Sequence, residues 1–352
     1  MSLVQEPLDP AVSSLPAKSA PAASSTASRR RAPSLRKLLP LIGCIVLVVV
    51  LSRLDSAALA KAFGRVTWVT VASAAGFFSF NIWLKVLRWQ RLLHAQSIEL
   101  PHRVALPAML SAQFYAQVTV GRVGEFLRAE ALTERGVRVG TALSACVFDR
   151  LLDVVCVLFT GLTLGAIWLG QLRAALVAGT LMLTVLVGAV VLFQVFGRDE
   201  PPALGGLSAR FRFVAGGAGF VHELARGMRP MLRPRAFAET AAWTVVAWYF
   251  YFAALFALAD GLHIEVSRIL LTATAAFAGL SSLLPVTISG LGARELIYIE
   301  VLSARGVPSE LAVALSLLHL GVMTVSAIVL GLIGVAVRAR QRSTRDQAHQ
   351  SA

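Results

Sequence analysis

Arg122, Glu125 and Arg128 follow one another at intervals of three in the run Gly121-Arg-Val-Gly-Glu-Phe-Leu-Arg128. On a helix that spacing gathers them into one stripe. A second charged group, Arg294, Glu295 and Glu300, follows the run Pro285-Val-Thr-Ile-Ser-Gly-Leu-Gly292. In both places glycines precede the charges. Backbone N–H groups at a glycine turn or a helix N-terminus favour anions, and an arginine fork holds phosphate through two parallel hydrogen bonds. The chemistry implied is capture of a phosphate-bearing group by Arg122, Arg128 and Arg294, with Ser289, Gly290 and Gly292 supplying the turn. Glu125 and Glu295 would orient arginines, gate, or carry protons. The plainer alternative for the first group is a cytoplasmic helix end with snorkelling arginines. A third group, Asp149, Arg150 and Asp153, opens a long apolar segment. Its spacing predicts a structural Arg150–Asp153 salt bridge at i, i+3, with a headgroup contact as the secondary role. Asn81 and His319 read as interhelical hydrogen-bond partners. The aromatic run 248–252 reads as packing.

No enzyme constellation accompanies these residues. There is no Gly-Lys-Ser phosphate loop, no His-Glu-x-x-His and no Gly-x-Ser-x-Gly. No catalytic residue, metal site or cofactor is therefore expected. Cys44, Cys146 and Cys156 all lie in apolar segments and read as small buried hydrophobes.

The elements that must position these charges are membrane helices. Of 352 residues, 57% are hydrophobic and 15% charged, which excludes an ordinary soluble enzyme and leaves no soluble domain over. The formal charge of +14 sits beside hydrophobic segments. It reads as a set of topology determinants that also touch anionic lipids, and nucleic acid is not an expected partner. Residues 1–33, rich in Ala, Ser and Pro, read as a disordered cytoplasmic tail. A first membrane repeat, 34–170, holds spans at 38–54, 66–87 and 141–169 and a hairpin at 104–133. Trp89, beside Arg88, reads as an interfacial anchor. A second repeat, 171–338, holds spans at 174–196, 236–262 and 311–337 and a hairpin at 269–304. Between its first two spans lies an Arg-rich loop, 197–235. The centre of that loop, Phe213 to Met231, reads equally as a surface helix or as an irregular basic loop. Residues 339–352 form a cytoplasmic tail.

Charge decides how the hairpins run. A full crossing by 104–120 would put the Arg-rich loop outside, against the positive-inside rule. Re-entrant hairpins put every basic cluster inside. The expected fold is all-α and polytopic, with about six full spans, two re-entrant helical hairpins and both termini cytoplasmic. The halves also share sequence. Val118-Thr-Val120 matches Val286-Thr-Ile288, Glu125 matches Glu295, Glu130 matches Glu300, and Leu132 matches Leu302. Arg135-Gly-Val137 matches Arg305-Gly-Val307. Three crossings per half make this an inverted repeat, an architecture of transporters.

Arg88-Trp89, the Gly121–Arg128 run with Leu132, Asp149-Arg-Leu-Leu-Asp153 and the Pro285–Glu295 run together resemble the flippase-like transmembrane domain of lysylphosphatidylglycerol synthases. The resemblance covers roughly Leu38 to Val337. Asp149 stands where that pattern carries Glu. Without the soluble aminoacyl-transferase domain, lipid lysylation is not implied. What the resemblance implies is a bacterial inner-membrane lipid transporter for an amphipathic lipid: a phospholipid, hopanoid or polyprenyl-linked lipid. Two alternatives stay open. One is a membrane-embedded glycosyl- or acyl-transfer enzyme, and the other an accessory subunit that partners a lipid-synthesis enzyme.

Overall fold

The computed structural model describes residues 45–177, 179–182, 184, 188, 212–281 and 290–350. The N-terminal tail, Leu38 to Cys44 of the first expected span, most of the fourth, the start of the Arg-rich loop and residues 282–289 lie outside the described residues. Every regular element among the described residues is helical. Residues 45–52 end a helix, and a short helix, α1 (Ser56–Gly64), follows. Asp55 caps α1 by accepting from the Ala57 N–H at 2.8 Å. Then come α2 (Trp68–Ala95), α3 (His102–Val118), a 3₁₀ segment (Val120–Ala129), α4 (Glu130–Thr133) and α5 (Val139–Trp168). The second part holds α6 (Leu172–Met182), α7 (Arg212–Met228), α8 (Pro234–Gly261), α9 (Arg268–Ser281), α10 (Ala293–Ser303) and α11 (Ser309–Gln350).

Four of these helices, α2, α5, α8 and α11, are long and apolar enough to cross a bilayer. The protein is a multi-pass α-helical membrane protein. α2 runs past the expected end at Leu87 because Arg88 and Trp89 are both fully buried. Trp89 is thus a core residue and not an interfacial anchor. The Arg-rich segment is resolved in favour of a helix: α7 ends in a 3₁₀ turn (Arg229–Leu232), and Met228 and Met231 are fully buried. Gln96 docks it by donating to the Gly227 carbonyl at 2.8 Å and to Ser144 Oγ at 2.7 Å. α11 continues well past the expected span, and its Arg338 and Arg342 pair with Glu130 and Glu134 on α4 and just after it.

The packing interchanges corresponding elements of the two sequence repeats. α2 packs on α8, α3 on α11, and α9 on α5. The two crossed pairs use small residues for close approach, as membrane helices do where no hydrophobic drive separates helix from lipid. Gly161 and Gly165 of α5 lie against Ala276 and Phe277 of α9, and a Cβ on Gly165 would reach 2.7 Å from the Phe277 ring. Gly331 and Gly334 of α11 lie in the same way against Phe114 and Leu110 of α3.

The shared Arg-Gly-Val triplet has one geometry in both places. Gly136 (φ 82°) and Gly306 (φ 77°) take the left-handed conformation. The Gly136 N–H donates to Thr133 O at 3.0 Å and the Val137 N–H to Leu132 O at 3.2 Å. The Gly306 and Val307 N–H groups donate to Ser303 O and Leu302 O at 2.9 and 3.3 Å. These are paired Schellman caps, in which glycine avoids the steric cost of positive φ.

Candidate functional site

The charges of the first hairpin sit on an unusual backbone. α3 stops at Val118, and a ten-residue run of 3₁₀ turns follows, interrupted by the left-handed Arg122. Thr119 pins the turn: its hydroxyl donates to Tyr115 O at 2.7 Å and accepts from the Gly124 N–H at 2.8 Å. A Cβ on Gly124 would overlap the Tyr115 carbonyl, so the chain can fold back onto α3 only with glycine there. Arg122 adopts a left-handed φ of 58°, uncommon for a side chain of its size.

This geometry splits the expected stripe. Arg122 Nε donates to Glu125 Oε1 at 2.7 Å. Arg128 turns inward, 4% exposed, and Nη2 donates to Asp149 Oδ2 at 2.7 Å, with the guanidinium 5.3 Å from the Trp89 ring centre. Arg150 reaches Glu125 at 3.3 Å, so the expected Arg150–Asp153 pair does not form. Asp153 has other partners, because α5 turns its carboxylate toward α2 and α8. Arg88, fully buried, bridges both acids, with Nε to Asp149 Oδ1 at 2.7 Å and Nη1 to Asp153 Oδ1 at 2.8 Å. Lys85 Nζ pairs with Asp153 Oδ2 at 3.0 Å, and Trp248 Nε1 donates to Asp153 Oδ1 at 3.0 Å. Thr244 Oγ1 accepts from Arg88 at 3.0 Å. A hub of five charges thus ties α2, the 3₁₀ segment, α5 and α8 together. A buried ion hub of this kind needs such extra hydrogen bonds to offset desolvation.

Beside the hub lies a cavity of about 130 Å³, room for roughly four waters at about 30 Å³ each. Both repeats line it. Lys85, Arg122, Arg150 and Arg294 supply four cations against the single carboxylate of Asp153. Asn81, Gln113 and Gln117 supply amides, and Trp248 and Tyr251 an aromatic wall. Asn81 Nδ2 also donates to Ala247 O on α8 at 2.6 Å, an interhelical bond of the kind its sequence position suggested.

At the second tip, Gly290 (φ 80°) and Gly292 (φ 84°) make the turn into α10. Glu295, fully buried, closes that turn: Oε2 accepts from the Gly292 N–H at 2.6 Å and Oε1 from Ser316 Oγ at 3.0 Å. Arg294 is 7% exposed and faces the cavity. Nε donates to Ser316 Oγ at 3.0 Å, and Nη2 donates to His319 Nδ1 at 2.7 Å. Arginine has no acceptor, so Nδ1 of His319 must be the lone-pair nitrogen and the proton of the neutral ring sits on Nε2. Tyr298 lies under the guanidinium at 5.5 Å. Among the described residues no carboxylate pairs with Arg294 directly.

The structure therefore gathers Arg122, Arg150, Asp153 and Arg294 at one cavity, with Glu125, Arg128 and Asp149 behind its wall. Gly290, Gly292 and Glu295 shape the second tip. Glu300 is exposed and takes no part. Ser289 lies outside the described residues. Sequence reasoning read Lys85 and Arg88 as basic residues at a span's end and Trp248 and Tyr251 as packing, and it did not single out Gln113. The available signal for Arg88 was the Asp149–Asp153 pair at i, i+4, two acids on one apolar face that require a cation from another helix.

No curated protein matches the chain. The family model for the lysylphosphatidylglycerol synthase TM region matches residues 38–331. That span takes in both hairpins, the hub and the cavity, and the chain belongs to the lysylphosphatidylglycerol synthase TM region family.

Proposed function

We propose that this protein is a flippase-like lipid transporter of a bacterial inner membrane, which holds an anionic lipid headgroup in the cavity between its two hairpins while the tail stays in the bilayer. The observation that carries the reading is Arg294. A buried guanidinium on a cavity wall, bonded among the described residues to a hydroxyl and an imidazole and to no carboxylate directly, presents to the cavity a fork for which a bound anion is the natural partner. Ser316, His319 and Tyr298 hold the fork in place before the ligand arrives. The interchange of helices between repeats and the matched glycine caps support the inverted-repeat topology: about six spans, two re-entrant hairpins and both termini cytoplasmic. In this reading Glu295 is a positioning residue, because its two oxygens are engaged by Gly292 of the tip and by Ser316 of α11. Transport is favoured over group transfer because the cavity wall offers cations, amides and aromatic rings, with its one carboxylate already held by three donors, from Lys85, Arg88 and Trp248.

Native mass spectrometry of lipids carried by the purified protein tests the reading. A hydrogen bond to a charged group contributes roughly 1.5–3 kcal/mol, so Arg294→Ala should weaken retention of the anionic lipid by about one to two decades. Arg294→Lys should recover only part, since lysine offers a point charge in place of a fork. A folded, well-expressed Arg294→Ala protein that retains and moves the same lipid at the wild-type level would remove the site.

A further inference from the structure

We infer that the ligand of this cavity presents two negative charges, as a phosphomonoester or diphosphate group, and not the single charge of a phosphodiester. The inference rests on reading the cavity as a headgroup site and goes on to name the headgroup's chemistry.

It follows from the charges that surround the cavity, taken group by group. In the hub, Lys85, Arg88 and Arg128 meet Asp149 and Asp153, which leaves one positive charge over. At the first tip, Arg122 and Arg150 share Glu125, which leaves a second. At the second tip, Arg294 and Glu295 are linked through the Ser316 hydroxyl and balance. The sequence of residues 282–289 contains no charged residue. Among the described residues the excess is thus two positive charges. Lys85, Arg122 and Arg150, the half-buried cations of the two groups with an excess, all reach the cavity wall. Uncompensated charge in a low-dielectric interior is costly, so a partner that supplies two charges is favoured over one that supplies a single charge. The donors also fit. Three planar guanidinium forks and one ammonium point at one space, and a terminal phosphate offers three oxygens where a diester offers two. A lipid phosphomonoester, a lipid diphosphate and a free phosphate or pyrophosphate ion share this chemistry.

The test uses the full-length protein in nanodiscs of phosphatidylcholine doped with either phosphatidic acid or phosphatidylglycerol of the same acyl chains. Bound lipid is read by native mass spectrometry, and inorganic pyrophosphate serves as the soluble competitor. Phosphatidic acid should bind about tenfold or more tightly than phosphatidylglycerol, the effect of one further charged contact. That ratio should grow from about pH 5 to about pH 8, across the second ionisation of a phosphomonoester near 6. Phosphatidylglycerol stays a monoanion there and controls for titration of protein groups. Arg150→Gln, which removes one of the two excess charges and leaves Arg122 on Glu125, should bring the ratio toward one. Equal binding of the two lipids, with no pH effect on their ratio, would overturn the two-charge inference and leave the headgroup site standing. Pyrophosphate bound with neither lipid retained would keep the two-charge chemistry but overturn the lipid reading. Retention of neither lipid nor pyrophosphate would overturn both.

Discussion

Asp149→Asn isolates what the buried hub contributes. The substitution preserves the shape of the side chain but removes a charge that Arg88 and Arg128 each engage at 2.7 Å, from positions that are 0% and 4% exposed. Lys85, Arg88 and Arg128 would then face Asp153 alone. The new amide must also turn one N–H toward a guanidinium, which has no acceptor to offer. Removing one partner of a buried ion pair costs roughly 3–5 kcal/mol. That is a large part of the about 5–15 kcal/mol that typically holds a domain together. The assay is reversible unfolding of the purified protein in mixed micelles, read by tryptophan fluorescence. Asp153→Asn should cost less, because Lys85 lines the cavity and can turn its ammonium into that space while Arg88 keeps Asp149. The double variant Asp149→Asn/Arg128→Gln should recover part of the loss, with a coupling energy of roughly 0.5–3 kcal/mol between the sites. An Asp149→Asn protein within about 0.5 kcal/mol of the parent, the range of an ordinary surface change, would refute the argument that the hub is held by paired charges.

Gly124→Ala should abolish folded protein in detergent extracts, since the added Cβ overlaps the Tyr115 carbonyl. Gly64→Ala, where nothing lies within 4 Å, is the neutral control, and equal yields from the two would refute the tight turn. Gly136→Ala and Gly306→Ala should each cost roughly 1–2 kcal/mol in the same unfolding assay, because both positions hold a left-handed backbone that a Cβ opposes; no loss at either position would refute the cap assignment. A cysteine at exposed Val221 on α7, with Cys44, Cys146 and Cys156 replaced, should react with an impermeant thiol reagent only in inverted vesicles. Reaction in intact spheroplasts would overturn the proposed orientation.

Local chemistry made much of this protein legible from its sequence. Helix existence followed from long apolar runs, and the breaks followed from Thr119-Val-Gly121 and the clustered glycines before Arg294, since glycine has low helix propensity and favours turns. The paired Arg-Gly-Val triplets were visible as a repeat, and their glycines suit the caps found there because a left-handed C′ position favours glycine. Partner choice was not legible in the same way. Asp149 and Asp153 were visible as two acids on one face, yet the nearest cation in sequence, Arg150, is not their partner. Arg88 lies some sixty residues earlier, and only the packing of α2 against α5 and α8 brings it there. The expected stripe of Arg122, Glu125 and Arg128 assumed helical geometry. The 3₁₀ backbone, with Arg122 at positive φ, sends Arg122 and Arg128 to different partners. The cavity depends on tertiary structure altogether. Its cations come from α2, the 3₁₀ segment, α5 and α10, and their convergence on one space is a property of how the helices interchange between repeats. Periodicity, capping and turn chemistry act within a few residues and are written in sequence order. Burial and counter-charge are set by distances across the packed helices, which the order of residues does not contain.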